Sequence, residues 1–184
     1  MVLVGGRSVR METDKSLLEY HGLPQRNFLY ELLRPHCDEV FLACRANQVQ
    51  ELAGFQTIVD MHEAAGPLSA LLSAFAQNPE TAWLVVACDM PFVQAEAISF
   101  LLENCDSTAI ATAFLNPENQ LPEPLLTIWE SKSVEILQAA FERQERSPVR
   151  ILQQNHAKLL IAPMANWLLN VNTVAEYNQV LRRI

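Results

Sequence analysis

The sequence predicts an α/β protein in which a doubly wound, mostly parallel sheet carries helices on both faces. Strand-like and helix-like segments alternate along the chain without a long linker or repeat, an order that is typical of parallel sheets. Gly5, Asp60 and Asp89 each follow a predicted strand, so they should share the rim at the carboxyl ends of the strands, where such sheets bind ligands. With 184 residues, 50% of them hydrophobic, we expect a single domain over residues 1–184.

The first half of the chain contains predicted strands and helices in alternation. The most regular strand is the apolar run that ends in Asp89. Pro35 ends the first helix because proline cannot continue one, and Pro67 suits the first position of another. Ser16 and Glu19 have the spacing of a capping box. The predicted strands are 1–4, 39–44, 57–59 and 83–88, and the predicted helices are 25–34, 48–52 and 67–77.

The second half is less regular, but its elements still alternate. Thr173 and Glu176 have the spacing of a capping box at the start of a last helix. The other predicted helices are 94–104, 132–143 and 149–153, and the predicted extended segments are 108–114, 124–129 and 158–162.

The composition limits the classes of partner. A net charge of −8 argues against nucleic acid or an anionic membrane, although a local cluster of cations can still bind a nucleotide because distant exposed charges are screened. No apolar run approaches the roughly 20 residues that span a bilayer, and no signal peptide is recognisable, so we expect a cytoplasmic protein. The cysteines lack C-x-x-C spacing and are interpreted as reduced packing residues: Cys37, Cys44, Cys88 and Cys105.

The opening loop, residues 5–15, suits a phosphate group. Adjacent Gly5 and Gly6 let backbone N–H groups approach an anion, and Arg7, Arg10 and Lys15 supply positive charge. The loop has neither the dinucleotide-binding glycine pattern nor the P-loop pattern. The alternative is an ordinary turn between a strand and a helix, with solvated basic residues.

Asp89 is a candidate magnesium ligand. It stands at the end of an apolar strand, where a carboxylate is costly to bury unless a cation or hydrogen-bond donors accompany it. Mg²⁺ uses one or two carboxylates and keeps its other positions for water and phosphate oxygens. The alternative is that Asp89 caps the turn before Pro91.

Asn170 and Asn172 form a third candidate site. In an extended backbone, residues two apart face the same side, so both amides could face one ligand. The alternative is a turn that caps the last helix.

Taken together, these motifs resemble those of a known family, the molybdenum cofactor guanylyltransferases (molybdopterin-guanine dinucleotide biosynthesis protein A), within the wider nucleotidyltransferases. The resemblance covers nearly the whole chain and keeps the family's order of motifs. The matching segments are 3–11, 14–18, 22–24, Asp60 with 66–68, 88–92, 123–125 and 170–173.

The resemblance implies a Rossmann-like nucleotidyltransferase fold and a magnesium-dependent transfer of GMP from GTP to molybdopterin that carries molybdenum, with release of pyrophosphate. It also implies transient contact with other proteins of cofactor synthesis. The backbone of Leu3, Val4 and Gly5 would contact the nucleotide, with Asp60 helping to bind it. The resemblance places the triphosphate at Gly6, Arg10 and Lys15, Mg²⁺ at Asp89, which also contacts the nucleotide, and the acceptor beside Asn170, Asn172 and Glu123.

One departure from the family pattern leaves two alternatives open. Glu12 stands where relatives usually have glycine, which puts a carboxylate into the opening loop. The chain could be a related transferase that uses CTP or another acceptor. It could also be a non-catalytic nucleotide-binding domain with a regulatory role. Its oligomeric state is not predicted.

Overall fold

The computed structural model describes residues 1–6, 14–62 and 66–184. Its strands are β1 (Val2–Leu3), β2 (Leu42–Cys44), β3 (Thr57–Val59), β4 (Trp83–Ala87), β5 (Ala111–Leu115), β6 (Pro122–Trp129) and β7 (Lys158–Ile161). Its α-helices are α1 (Gln25–Leu33), α2 (Pro67–Gln77), α3 (Ala95–Glu103), α4 (Ser133–Glu142), α5 (Pro148–Gln154) and α6 (Val174–Val180). Short 3₁₀ helices cover Lys15–Leu17, Ala46–Leu52 and Ala165–Leu168.

The seven strands form one sheet in the order β3-β2-β1-β4-β6-β5-β7. Strands β3, β2, β1 and β4 run parallel, as do β5 and β7, whereas β6 is antiparallel to both of its neighbours. A short connection of residues 116–121 joins β5 to β6, and such a connection can link only antiparallel strands. The predicted mostly parallel α/β sheet is therefore confirmed, with β6 as its antiparallel strand.

Helices cover both faces of the sheet because each strand near the centre is apolar on both sides. One buried cluster joins the sheet to α1, α3 and the 3₁₀ helix near Trp167. The other joins the opposite face to α2, α4 and α5. Strand β4 contributes to both, with Leu84 and Val86 on one face and Trp83 and Val85 on the other, as the alternation of side chains along a strand requires.

Two of the predicted helix starts are confirmed and one is wrong. Pro67 is the first residue of α2, after Gly66 at φ +57°, a conformation that favours glycine. Thr173 and Glu176 form the predicted capping box at α6. The predicted box at Ser16 is wrong, because Asp14 caps the 3₁₀ helix Lys15–Leu17 by accepting the Ser16 N–H. Asp14 is an equally good cap two residues earlier.

The predicted helix 48–52 is a 3₁₀ helix that begins at Ala46. Of the cysteines, Cys44 and Cys88 are buried, Cys37 is half-buried and Cys105 is exposed, so the prediction that they pack in the interior is wrong for Cys105. In the described ranges, no helix combines the length and the hydropathy that crossing a bilayer requires.

Candidate active site

A cavity of about 240 Å³ lies beyond the carboxyl ends of β1 to β4. It is lined by all three residues that were predicted to share this rim, Gly5, Asp60 and Asp89. Adjacent parallel strands end at the same edge of a sheet, which brings residues distant in sequence together here. The cavity is lined by Leu3, Val4, Gly5, Gly6, Asp14, Lys15, Ala43, Asp60, Gly66, Pro67, Ala70, Ala87, Cys88, Asp89 and Leu125.

Gly5 lies where β1 meets two charged side chains. A Cβ on Gly5 would come within 3.1 Å of Asp60 Oδ2 and 3.6 Å of the Arg45 backbone nitrogen. The 3.1 Å distance to the carboxylate is tighter than ordinary van der Waals contact. Glycine at this position therefore lets the chain pass beside Asp60. A Cβ on Gly6 would meet no atom within 4 Å among the described residues, so packing against those residues does not require glycine there.

The carboxyl group of Asp60 lies in an environment that disfavours its charged form. Burial raises the pKa of Asp60 to about 6, and the nearby Arg45 guanidinium opposes this rise in part. Asp60 Oδ1 is buried and lacks a hydrogen-bond partner among the described residues. A buried acceptor of this kind favours a ligand that donates a hydrogen bond.

Asp89, Lys15 and Asn172 meet at the edge of the cavity. Lys15 Nζ lies 3.2 Å from Asp89 Oδ2 and donates a hydrogen bond of 2.7 Å to Asn172 Oδ1. The side chains of Lys15 and Asp89 are only 16% and 21% exposed, so the pair is partly shielded from water. The other oxygen, Asp89 Oδ1, is buried and has no hydrogen-bond partner in the described part of the chain.

The segment 170–172 is held against Asp89 through the backbone. The Val171 N–H donates to the Asp89 carbonyl at 2.8 Å. This hydrogen bond places the next residue, Asn172, beside Lys15. The N–H groups of Asn172 and Thr173 both donate to Glu176 Oε2, at 2.7 and 3.0 Å. These hydrogen bonds lower the pKa of Glu176, because they favour its charged form. The helix cap thus also orients a predicted site residue.

Asn170 and Glu123 form a second polar pair on this side. Glu123 is 7% exposed. Burial raises its pKa, while the Leu125 N–H and the Asn170 amide oppose the rise, and the nearby Asp89 carboxylate adds to it. Asn170 Oδ1 is buried without a hydrogen-bond partner among the described residues. The structure therefore pairs Asn172 with Lys15 and Asn170 with Glu123, and their shared role toward an acceptor stays a prediction.

The sequence interpretation missed three polar residues at the site. Arg45 follows β2 and lies beside Asp60, so its position after a strand was a usable signal. Asp14 lines the cavity, and its carboxylate accepts from Ser16 N at 2.9 Å and from Gln48 Nε2 at 3.3 Å. Gln48 has no motif that could have singled it out.

Three predicted features of the opening loop lie outside the described residues. These are Arg7, Arg10 and Glu12. The catalytic role of Arg10 and the effect of Glu12 stay predictions.

The arrangement combines three chemical functions within one cavity. The β1 backbone and the two glycines border it, and Lys15 supplies a cation. Asp60 and Asp89 each present a carboxylate oxygen that has no hydrogen-bond partner within residues 1–6, 14–62 and 66–184. The remaining lining includes apolar side chains, among them Ala43, Pro67 and Leu125. An apolar cavity with a few convergent polar groups is the usual form of a small-molecule site.

Known proteins resemble this chain along almost its whole length. Residues 1–159 match the family described as the MobA-like NTP transferase domain. A molybdenum cofactor guanylyltransferase of Pseudomonas aeruginosa is 30% identical over 177 residues, which cover 94% of this chain and 89% of that protein. A molybdenum cofactor biosynthesis bifunctional protein of Synechocystis is 31% identical over 182 residues, and these cover 98% of this chain. The chain spans about half the length, 52%, of the Synechocystis protein.

A solved structure agrees with the fold. The molybdopterin-guanine dinucleotide biosynthesis protein A of Archaeoglobus fulgidus superposes with a TM-score of 0.82 at 21% identity, covering 99% of this chain and 96% of that one. The match to the family extends over most of the residues that build the sheet and the cavity. The predicted resemblance is therefore confirmed, and the chain belongs to the family of MobA-like NTP transferase domains, which are nucleotidyltransferases.

Proposed function

We propose that this protein transfers GMP from GTP to the phosphate of molybdopterin that carries molybdenum, and releases pyrophosphate. The observation that carries the proposal is the Lys15 Nζ contact with both Asp89 and Asn172. This contact brings a cation, a carboxylate that we predict to bind metal and a residue of the predicted acceptor side together at the edge of the cavity, which Gly5 and Gly6 also line. The Pseudomonas relative is named a molybdenum cofactor guanylyltransferase, which supports this chemistry, and the name of the Synechocystis relative supports a role in molybdenum cofactor biosynthesis.

The nucleotide side of the site is formed by the first half of the chain. The backbone of Leu3, Val4 and Gly5 would contact the nucleotide, and Gly6, Arg10 and Lys15 would hold its triphosphate. Asp60 would accept a hydrogen bond from the nucleotide through Oδ1, which accepts none from the part of the chain that the structure describes. The second half contributes the acceptor side through Asn170, Asn172 and Glu123, within one domain over residues 1–184.

The residues at Asp89 fit a magnesium ion. Asp89 Oδ1 is a buried oxygen without a partner in the described ranges, and hard oxygen ligands are those that Mg²⁺ prefers. Within those ranges no three acidic, histidine or cysteine side chains are grouped closely enough to hold a metal ion, so substrate phosphates and water would complete the coordination. When bound, Mg²⁺ would neutralise phosphate charge and orient the α-phosphate.

The residues of the chain then act mainly by positioning and by charge. A phosphate nucleophile is already ionised near neutral pH, so no general base is needed. The attacking phosphate and the nucleotide repel each other, and the catalyst must hold them in line and neutralise them. Lys15 and Arg10 would stabilise the leaving pyrophosphate, and Asn172, which accepts from Lys15, would bring the acceptor phosphate near that charge.

Pyrophosphate release, measured with GTP, CTP and ATP in the presence of molybdenum-loaded molybdopterin and Mg²⁺, tests the proposal. We expect turnover with GTP above that with the other two nucleotides. A strong preference for CTP would contradict the guanylyl assignment. Turnover that appears only in the Glu12→Gly variant would instead indicate a regulatory domain.

A further inference from the structure

Gln48 is buried beside the cavity, and its amide contacts four groups on three residues, Val4, Asp14 and Arg45. It is 6% exposed. Its Nε2 donates to the Val4 carbonyl at 3.4 Å and to Asp14 Oδ2 at 3.3 Å. Its Oε1 accepts from the Arg45 backbone N–H at 3.1 Å and from Arg45 Nε at 3.3 Å. Both donor hydrogens and both acceptor positions of the amide are therefore used.

These four hydrogen bonds fix the orientation of the Gln48 amide, and among side chains of this shape only glutamine can make all of them. A flipped amide would place its oxygen against the Val4 carbonyl and the Asp14 carboxylate, and its hydrogens against two donors of Arg45. A carboxylate of the same shape has no donors, and a thioether has neither donors nor strong acceptors. The amide is thus matched to its surroundings at each of its positions.

The two groups that accept from Gln48 lie at the two ends of the opening loop. Val4 is the last residue before the loop, and Asp14 directly precedes Lys15. The other oxygen of Asp14 caps the 3₁₀ helix that carries Lys15. A single side chain therefore joins the end of β1 to the turn that presents the Lys15 ammonium, although the two are distant along the chain.

The Oε1 atom of Gln48 connects the amide, through Arg45, to Asp60. By accepting two hydrogen bonds from Arg45, Gln48 fixes the side chain that opposes the raised pKa of Asp60. The Cγ of Arg45 also lies 3.7 Å from the Cβ position of Gly5. Gln48 thus contacts the neighbours of three predicted nucleotide-binding residues, Gly5, Lys15 and Asp60, and does not itself line the cavity.

We propose that Gln48 is a positioning residue for nucleotide binding, which holds the two ends of the opening loop at the separation that the triphosphate requires. The inference rests on the proposed function, because it assumes that the loop binds GTP. Its physical basis is pre-organisation. Without the amide, Val4 and Asp14 would have to be brought into place when the nucleotide binds, and the entropic cost of ordering them would lower the affinity.

The test compares Gln48→Met and Gln48→Glu with the wild type in calorimetric GTP binding with Mg²⁺ and in steady-state kinetics. We expect the Kd and the KM for GTP to rise about ten-fold in Gln48→Met, as the loss of hydrogen bonds of modest strength predicts. A larger rise is expected for Gln48→Glu, because its carboxylate would face the Asp14 carboxylate. We expect kcat to change less than KM. Gln153→Met, an exposed position on α5, is the matched control and should keep wild-type values.

A double-mutant cycle with Asp14→Asn separates positioning from general destabilisation. The asparagine retains one of the two acceptor contacts of Asp14, so its effect should largely vanish in the Gln48→Met background. If the fold-losses in GTP affinity of the two single variants simply multiply in the double variant, the inference is overturned. So would a Gln48→Met variant with a lowered melting temperature and an unchanged Kd, because that is the result of a purely structural role.

Hydrogen exchange distinguishes failure of this inference from failure of the proposed function. Faster exchange of the Ser16 and Leu17 amides in Gln48→Met than in wild type supports the link, whether or not GTP is the substrate. Unchanged exchange of these amides contradicts it. If the wild-type protein does not bind GTP, the proposed function is contradicted instead.

Discussion

The two sides of the cavity are held in place by different means. On the nucleotide side, Gly5, Arg45 and Asp60 follow neighbouring parallel strands, so the sheet itself fixes their spacing. On the acceptor side, Asn172 reaches the site through one backbone hydrogen bond from Val171 and through the Glu176 cap. The first arrangement depends on the hydrogen bonds of the sheet, and the second on a few hydrogen bonds and on the burial of Val171 in a small cluster outside the sheet. Mutations should therefore separate affinity for the nucleotide from affinity for the acceptor.

Asp89→Asn should have the largest effect, because Asp89 lies where the two sides meet. The amide keeps the shape of the side chain but removes the charge that pairs with Lys15 and would bind Mg²⁺. We expect turnover to fall by at least about 10²-fold, as for loss of a major transition-state interaction. Pyrophosphate release measures the effect, with circular dichroism as the check of folding. Near-normal turnover would disprove the metal assignment.

Gly5→Ala should mainly damage the nucleotide side. The added methyl group would lie 3.1 Å from Asp60 Oδ2, so the carboxylate or the strand end must shift. We expect GTP affinity to fall by about ten-fold, in line with the usual cost of overpacking, and the affinity for the acceptor to fall less. Titration calorimetry with each substrate gives the comparison. Equal losses for both substrates would show that the two sides are not separable.

Asp60→Asn should change how stability depends on pH. Because burial raises the pKa of Asp60 from 3.8 to about 6, the folded state binds the proton more tightly than the unfolded state. The stability gained from this group is complete below pH 3.8 and is lost as the pH rises through about 6. At pH 7 the asparagine variant should therefore be more stable than wild type, and the difference should shrink toward pH 4. Urea unfolding at several pH values measures this.

Asp106→Asn is the matched control for that measurement, with the opposite sign. Hydrogen bonds from Thr108 lower the pKa of the Asp106 carboxyl, which is half-buried. Its contribution to stability is therefore present above its ordinary value of 3.8 and is lost as the pH falls through its lowered pKa. A rise in stability at pH 7 for both variants would argue against a specific effect of burial at Asp60.

Glu176→Gln should have the smallest effect and should be confined to the acceptor side. The neutral amide can keep one oxygen for the N–H groups of Asn172 and Thr173 but loses the charge that strengthens both bonds. We expect a few-fold rise in the KM for molybdopterin with little change in the KM for GTP. A change that appears only in the KM for GTP would contradict the division of the site.

Much of the fold and part of the site could be predicted from the sequence. The strand ends at Gly5, Asp60 and Asp89 were predictable because apolar runs stop there, and parallel strands place their ends at one rim. The direction of β6 was not predicted, although the extended segments 108–114 and 124–129 lie too close in the sequence for the crossover that a parallel pair needs. Gln48 was not singled out, since its role depends on contacts with Val4 and Asp14 that only the folded chain creates. Arg45 was missed although its position directly after a strand was a usable signal.

The contact of one Lys15 ammonium with both Asp89 and Asn172 also has a thermodynamic consequence. A ligand that draws Lys15 toward one side changes the energy of the other, so the two substrates should bind with heterotropic cooperativity. Linkage makes this coupling reciprocal: the factor by which GTP alters the affinity for the acceptor must equal the factor by which the acceptor alters the affinity for GTP.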